Sequence, residues 1–186
     1  MSRATGGDAW AATFLDTFRY VDQLGRLARR GLDVHFHNTL AASDYALIDD
    51  STLTPRPSYW AALLWSRLMG NVVLDAGINR GDLHLYSHCL KGRGGGVALV
   101  AVNLSAENEQ PVRLSRPAEL FELTAPTLQS GEIALNGRKL AATTMGKVPM
   151  VKGRAIPAGT FKLAPLSVNF LSIPGANNRA CSAHQS

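Results

Sequence analysis

The stretch "PSYWAALLWSRLMGNVVLDA", residues 57 to 76, changes its period halfway along. Its first part reads as a helix opened by Pro57 and Ser58 and closed at Gly70. Tyr59, Trp60, Leu63, Leu64, Trp65, Leu68 and Met69 leave this helix apolar nearly all round, with Ser66 and Arg67 as its clear polar breaks. A helix of that kind must be covered on most sides. After Gly70 the pattern alternates every second residue, as a strand does. The stretch is therefore a seam between two kinds of structure.

Downstream, "NVVLDA", "LHLYSHCLK", "GGVALVAVNLS", "PVRLS", "AELFELTA", "EIALNGRKL" and "FKLAPLSVNFLSIP" all read as strands. Short turns rich in Gly, Pro and Asn separate them. Asn136-Gly137, between "EIAL" and "RKL", is a strong two-residue hairpin signal. "VALVAVNL" is apolar on both faces, which suits a central strand. Many short strands at this spacing predict an antiparallel β-sandwich over residues 71–186. Lys147 to Pro157 has no clear period and reads as a loop.

Upstream, Phe14, Phe18, Val21, Leu24 and Ala28 recur at helical spacing, with Thr13 as cap and Gly31 as stop. Asp16, Arg19, Asp22, Gln23, Arg26 and Arg30 take the other, polar side. Residues 32 to 40 alternate as a strand, Leu32, Val34 and Phe36 against Asp33, His35 and His37. Two helices and one strand do not make an α/β domain, and this strand would have bare edges. Residues 1–70 thus read as the last piece of a larger α/β body, entered through the Gly6-Gly7 loop.

Composition bounds the function. The chain has 186 residues, 46% apolar and 18% charged, enough for a packed core. No apolar run is long enough to span a bilayer, and the start does not read as a signal peptide. The net charge is +5, with basic residues in small groups: Arg26, Arg29 and Arg30; Lys91 and Arg93; Arg138 and Lys139; Lys152 and Arg154. Such groups are either solvated faces or the footprint of an anionic partner such as an acidic sugar polymer. No aromatic-and-basic pattern points to nucleic acid. Cys89 and Cys181 lie outside any C-x-x-C pair, so zinc is not indicated, and they are either buried thiols or a disulfide. His35 and His37 have i, i+2 spacing that could ligate a metal, but no third ligand is evident, and polar pocket residues explain them as well. No cofactor motif is found.

Taken in order, "TFRYVDQLGRLARRG", "SDYALIDD", "PRPSYWAALLWSRLMG", "LHLYSHCLKGRGGGVALVAVNLS", "EIALNGRKL" and "LAPLSVNFLSIPG" resemble the carboxyl-terminal part of heparanase-like proteins. These form glycoside hydrolase family 79, and "ALLWSRLMG" and "SHCLKGR" are similar to its plant-type members. The resemblance implies α/β plus all-β structure: the C-terminal remnant of a (β/α)8 TIM barrel (helix, strand, helix) over 1–70, then the sandwich. Residues 32–40 would be the eighth barrel strand.

The resemblance also implies a retaining mechanism, in which two carboxyl groups about 5 Å apart act as acid/base and nucleophile. The family's two glutamates stand at the ends of barrel strands four and seven. Strand four has no counterpart here, and "MSRAT" before the glycine loop holds no carboxylate. All five glutamates, Glu107, Glu109, Glu119, Glu122 and Glu132, lie in the strand-rich part. No catalytic residue is therefore assigned, and the chain alone is expected to be inactive. Substrate-side positions carried over are Gly6 and Gly7 of the glycine loop, and Ser43, Asp44 and Tyr45 of the loop after strand eight. Tyr45 would bind sugar or orient the nucleophile, or else only pack its ring. Asp44 stands where the family more often has asparagine, and His37-Asn38 where plant-type relatives tend to have Arg-Gln.

Cys89 and Cys181 match the family's sandwich disulfide, and Asn103-Leu104-Ser105 is a glycosylation sequon. Implied partners are an acidic glycan or glucuronide substrate and the missing barrel polypeptide, with peripheral membrane or cell-wall association. The implied location is extracellular, cell-wall, membrane-associated, lysosomal or vacuolar. Such modifications conflict with a chain lacking a signal peptide, which points to a truncated gene model or a partial chain. A non-catalytic carbohydrate-binding or structural module, or a subunit completing another chain's barrel, is the alternative.

Overall fold

Helix α1 spans Phe14–Arg29 and helix α2 spans Pro57–Leu68 in the computed structural model, which describes residues 8–77, 79–142 and 148–182. Thr13 is extended ahead of α1, and its hydroxyl donates back to the Trp10 carbonyl (2.7 Å) rather than into the helix. Gly31, at φ +79°, ends α1 in the left-handed conformation that glycine tolerates. Pro57 takes the first turn of α2, where its missing N–H costs nothing.

Ten strands follow: β1 Met69–Leu74, β2 Leu83–Leu90, β3 Val97–Asn103, β4 Gln110–Leu114, β5 Ala118–Thr124, β6 Ala134–Leu135, β7 Arg138–Lys139, β8 Arg154–Ile156, β9 Gly159–Leu163 and β10 Ser167–Ile173. All pairings are antiparallel. The main sheet has eight strands in the order β1-β2-β3-β10-β5-β6-β7, with β8 also on β5; β4 and β9 form a separate pair. Asn136 and Gly137, both at positive φ, make the β6–β7 turn as their dipeptide predicts.

Alternation along the central strands builds two cores. Val100, Val102, Val168 and Phe170 face one way and meet Phe14, Val21, Trp60 and Leu64 of the helices. Ala101, Leu120 and Leu171 face the other way and meet Val112 and Leu163 of the β4–β9 pair. The chain is thus mostly antiparallel sheet, with both helices on one face and a two-stranded sheet on the other. Because the two sheets are so unequal, α2 is covered by the large sheet and by α1, which explains why it carries so little polar surface.

The structure corrects several expectations. Residues 32–40 are extended but join no ladder, and Leu32, Val34, Phe36 and Leu40 are exposed, Phe36 by 86%. The alternation is real, but among the described residues no strand lies alongside to pair with it. "FKLAPLSVNFLSIP" divides into β9 and β10, because Leu166, at φ +45°, turns the chain between them. Part of the expected loop 147–157 pairs with β5 as β8.

The expected polar face of α1 is not solvated throughout. Asp16 is buried in the seam with α2, where Ser58 Oγ (3.1 Å) and Arg19 Nε (2.6 Å) donate to it. Asp22 reaches the sheet instead. Tyr86 OH donates to Asp22 (2.5 Å), His84 Nδ1 lies 2.6 Å from the same oxygen, and Arg26 Nε pairs with the other at 2.7 Å. Burial, reinforced by the Asp22 carboxylate, pushes the Tyr86 hydroxyl up to about 12. Gly25 lies flat on the Tyr86 ring, and a Cβ there would come within 2.2 Å of it. Cys89 and Cys181 form a disulfide (Cα–Cα 5.3 Å) that ties the final 3-10 turn, Arg179–Cys181, to β2.

Candidate functional site

The loop between the extended segment and α2 is organised by one side chain. Arg56, just before α2, folds back so that its Nη1 donates to the carbonyls of Ser43 (2.7 Å) and Asp44 (2.5 Å). Its Nη2 pairs with Asp49 Oδ2 at 3.0 Å. Asp49 also accepts from Ser51 Oγ (2.7 Å), Thr52 N (2.9 Å) and Thr52 Oγ1 (2.9 Å). The Ser51 hydroxyl above all, then Thr52 and Arg56, hold this carboxyl well below the usual carboxylate range. Charge-assisted hydrogen bonds on one guanidinium thus close the loop together with an isolated antiparallel bridge between Ile48 and Pro55, where Asp49 N donates to the Thr54 carbonyl (3.0 Å) and Arg56 N to the Leu47 carbonyl (2.9 Å).

This closure sets Tyr45 beside α1. Tyr45 is buried, and its carbonyl lies 3.1 Å from His37 Nε2. Because a carbonyl only accepts, His37 carries its proton on Nε2 here. The His37 ring meets Tyr20 edge-on at 5.3 Å. Burial lowers the His37 pKa and raises that of Tyr20, so both are held neutral near pH 7. Arg19, Tyr20, Gln23, His35, His37 and Tyr45 line a shallow hollow of about 240 Å³. Arg19 is oriented by Asp16 Oδ1 (2.6 Å) and by Gln23 Oε1 (2.6 Å). The hollow thus offers a positioned guanidinium, an amide and two imidazoles, a set suited to binding oxygen-rich groups.

Of the carried-over positions among the described residues, Tyr45 lines this hollow. Ser43 and Asp44 lie beside it in sequence but do not contribute to its wall; Asp44 is exposed, and the Ser43 hydroxyl is buried with no hydrogen-bond partner among the described residues. Gly6 and Gly7 lie outside the described residues. The sequence places Arg19 and Gln23 on the polar side of α1 without marking them as site residues; the i, i+3 spacing from Asp16 to Arg19 and the i, i+4 spacing from Arg19 to Gln23 are the signal for one hydrogen-bonded group. Asn103 is fully buried, and its Nδ2, the atom a glycan would occupy, donates to the carbonyls of Asn108 (2.9 Å), Leu163 (3.3 Å) and Ala164 (2.8 Å). The asparagine side chain thereby closes the turn after β3.

A larger hollow of about 600 Å³ lies between α1, α2 and β1. There His88 Nδ1 donates to the Gly70 carbonyl (2.7 Å), and Trp65 meets its ring edge-on at 5.4 Å. Burial lowers the His88 pKa. Among the described residues, no three His, Cys, Asp or Glu side chains gather as a metal centre would require. Several carboxylates are engaged in ion pairs: Asp16 with Arg19, Asp22 with His84 and Arg26, Glu109 with Lys162 and Glu132 with Lys139. No helix among these residues is long and apolar enough to cross a membrane.

No protein-family model matches the chain. Individual proteins do. Heparanase-like protein 1 of Arabidopsis thaliana is 32% identical over 96% of this chain and 40% of its own length. Heparanase of Gallus gallus is 34% identical over 96% of this chain and 38% of its own length. Baicalin-beta-D-glucuronidase of Scutellaria baicalensis is 30% identical over 92% of this chain and 34% of its own length. The chain thus spans about two fifths or less of the relatives it matches. Among solved structures, the thermostable GH51 alpha-L-arabinofuranosidase from Thermotoga petrophila RKU-1 superposes with a TM-score of 0.58 at 15% identity, over 85% of this chain and 38% of that one. The GH51 arabinofuranosidase from Xanthomonas axonopodis pv. citri gives 0.56 at 16% identity, over 87% and 36%. The fold is shared with parts of these glycoside hydrolases.

Proposed function

We propose that this chain, homologous to the heparanase-like proteins of glycoside hydrolase family 79 over nearly all its length, supplies the closing barrel segment, a sugar-facing loop and the strand-rich part of a retaining hydrolase of β-glucuronides or other acidic glycans. The observation that carries the reading is that homology. The exposed apolar segment around Phe36 supports the barrel part of it, since an extended segment with bare edges suits a strand awaiting neighbours. The hollow beside Tyr45, with Arg19 on its wall, is read as facing the acidic sugar, and Gly6 and Gly7 keep the substrate-side role that the resemblance implies. An extracellular, cell-wall, lysosomal or vacuolar location goes with this reading.

In the same reading the chain does not break glycosidic bonds by itself. Retaining hydrolysis needs two carboxyl groups about 5 Å apart across the scissile bond. Among the described residues, Asp16, Asp22, Asp49, Glu109 and Glu132 each sit in an ion pair with a cation. Assay of the purified chain with an aryl β-D-glucuronide tests this. No release above buffer is expected, and turnover that survives repurification overturns it. A non-catalytic glycan-binding module is the second reading, favoured by the fully packed strand-rich part. It requires that glucuronate bind the Tyr45 hollow in this chain alone.

A further inference from the structure

We propose that the groove between the β6–β7 hairpin and β8 is a binding site for an anionic polysaccharide segment, read through carboxylate or sulfate groups. The groove is about 570 Å³ and is lined by Arg138, Lys139, Lys152 and Arg154, with Leu140 and Met150 as apolar wall. Lys139 pairs with Glu132 at 2.6 Å. Arg138, Lys152 and Arg154 form no ion pair among the described residues, and all three are exposed. Three unpaired cations around one concavity repel one another, and an anionic chain lying in it removes that repulsion.

The groove's two walls are fixed in place. On the hairpin side, Asn136 Oδ1 accepts from Glu122 N (3.0 Å) and its Nδ2 donates to the Leu120 carbonyl (2.9 Å), pinning the turn to β5. On the other side, Gly153 sits on Phe121 so closely that a Cβ would come within 2.9 Å of the ring, and within 2.8 Å of the Glu119 Cβ. Lys152 and Arg154 flank that glycine, so a side-chain-free residue between them sets how deep they stand. Pairing of Arg154 with Leu120 then holds β8 on the same strand that Asn136 grips. The backbone that carries these cations is thus held before binding, which lowers the ordering cost of docking a chain there.

The shape chooses among polyanions. Among the described residues no aromatic ring lines the groove, so nucleic-acid bases find no stacking platform there. A concavity with its cations on the walls does not fit a flat bilayer. A sugar chain needs neither, since its acidic groups project from a narrow backbone, and Met150, 78% exposed, offers a soft apolar contact for the ring faces. This inference does not depend on the hydrolase reading, because it uses different residues.

The test is titration of the full chain with polygalacturonate, dextran sulfate, neutral dextran, a charge-matched single-stranded oligonucleotide and anionic phospholipid vesicles. An acidic polysaccharide is expected to bind and neutral dextran not, with affinity falling steeply as salt rises over about one decade. Arg138→Gln, Lys152→Gln and Arg154→Gln together should weaken that binding about tenfold or more. The exposed control set Arg29→Gln, Arg30→Gln and Arg93→Gln removes the same charge elsewhere and should weaken it no more than about twofold. Equal losses in the two sets, or no binding of either acidic polysaccharide, overturn the proposal. Tighter binding of oligonucleotide or vesicles that the groove set abolishes overturns it in favour of that other partner.

Discussion

Two regions of this chain carry the same alternation of apolar and polar residues and meet opposite fates. In β3 and β10, Val100, Val102, Val168 and Phe170 are fully buried, and each strand has a neighbour on both edges. In residues 32–40, Leu32, Val34, Phe36 and Leu40 stand in solvent. The amides of residues 33 to 38 donate to no backbone carbonyl among the described residues. Propensity is similar in the two stretches; the availability of partners is not. A strand is a relation between segments, and the energy of burial appears only when the second segment exists.

The largest expected effect falls on the well-partnered region. Replacing both Cys89 and Cys181 with Ala opens a link of sequence separation 92 and should lower stability by up to about 4 kcal/mol. Denaturant unfolding under non-reducing conditions measures it, and an unchanged midpoint would show that the strand-rich part holds its end without the link. Next comes Gly25→Val, which forces a side chain into the Tyr86 ring and should cost about 1–3 kcal/mol by overpacking. Asp22→Asn should also cost about 1–3 kcal/mol, since Tyr86, His84 and Arg26 all converge on that carboxylate. If either change left the unfolding midpoint untouched, α1 would not be anchored to the sheet as described.

Protonation sharpens the contrast at both ends of the pH range. Tyr86 is held neutral up to about 12 against an ordinary 10.0, so its contribution is complete below pH 10 and lost as pH rises toward about 12. His88 and His37 have folded values below the ordinary 6.5, so folding favours their neutral forms. Their contribution is complete above pH 6.5 and lost as pH falls below it. Melting curves should therefore weaken on both flanks. A flat profile between neutrality and mild acid would contradict the burial of these imidazoles. The smallest expected effect is Phe36→Ser, within about 0.5 kcal/mol, because an 86% exposed ring has little burial to lose.

How much was legible follows the same division. The strands β2, β3 and β5 stand almost where their alternation put them, and Asn136-Gly137 turned as its dipeptide required. Local pattern sufficed there because each strand's partners lie in the chain. The polar side of α1 is legible, but the partners of Asp16 and Asp22 are not, since a carboxylate at helical spacing looks the same whether it faces water or the Ser58 hydroxyl and Tyr86 phenol of distant elements. The hollow beside Tyr45 was half visible: the tyrosine was singled out, while Arg19 and Gln23 join it through a loop closure centred on Arg56 that no local pattern announces.

Hydrogen exchange of the intact chain at residue resolution tests most directly whether residues 32–40 await covering polypeptide. Amides of β3 and β10 should exchange only through global opening, while those of residues 33 to 38 exchange at close to the unprotected rate. Equal protection in the two segments would mean that residues 33 to 38 are already covered, and would contradict the account.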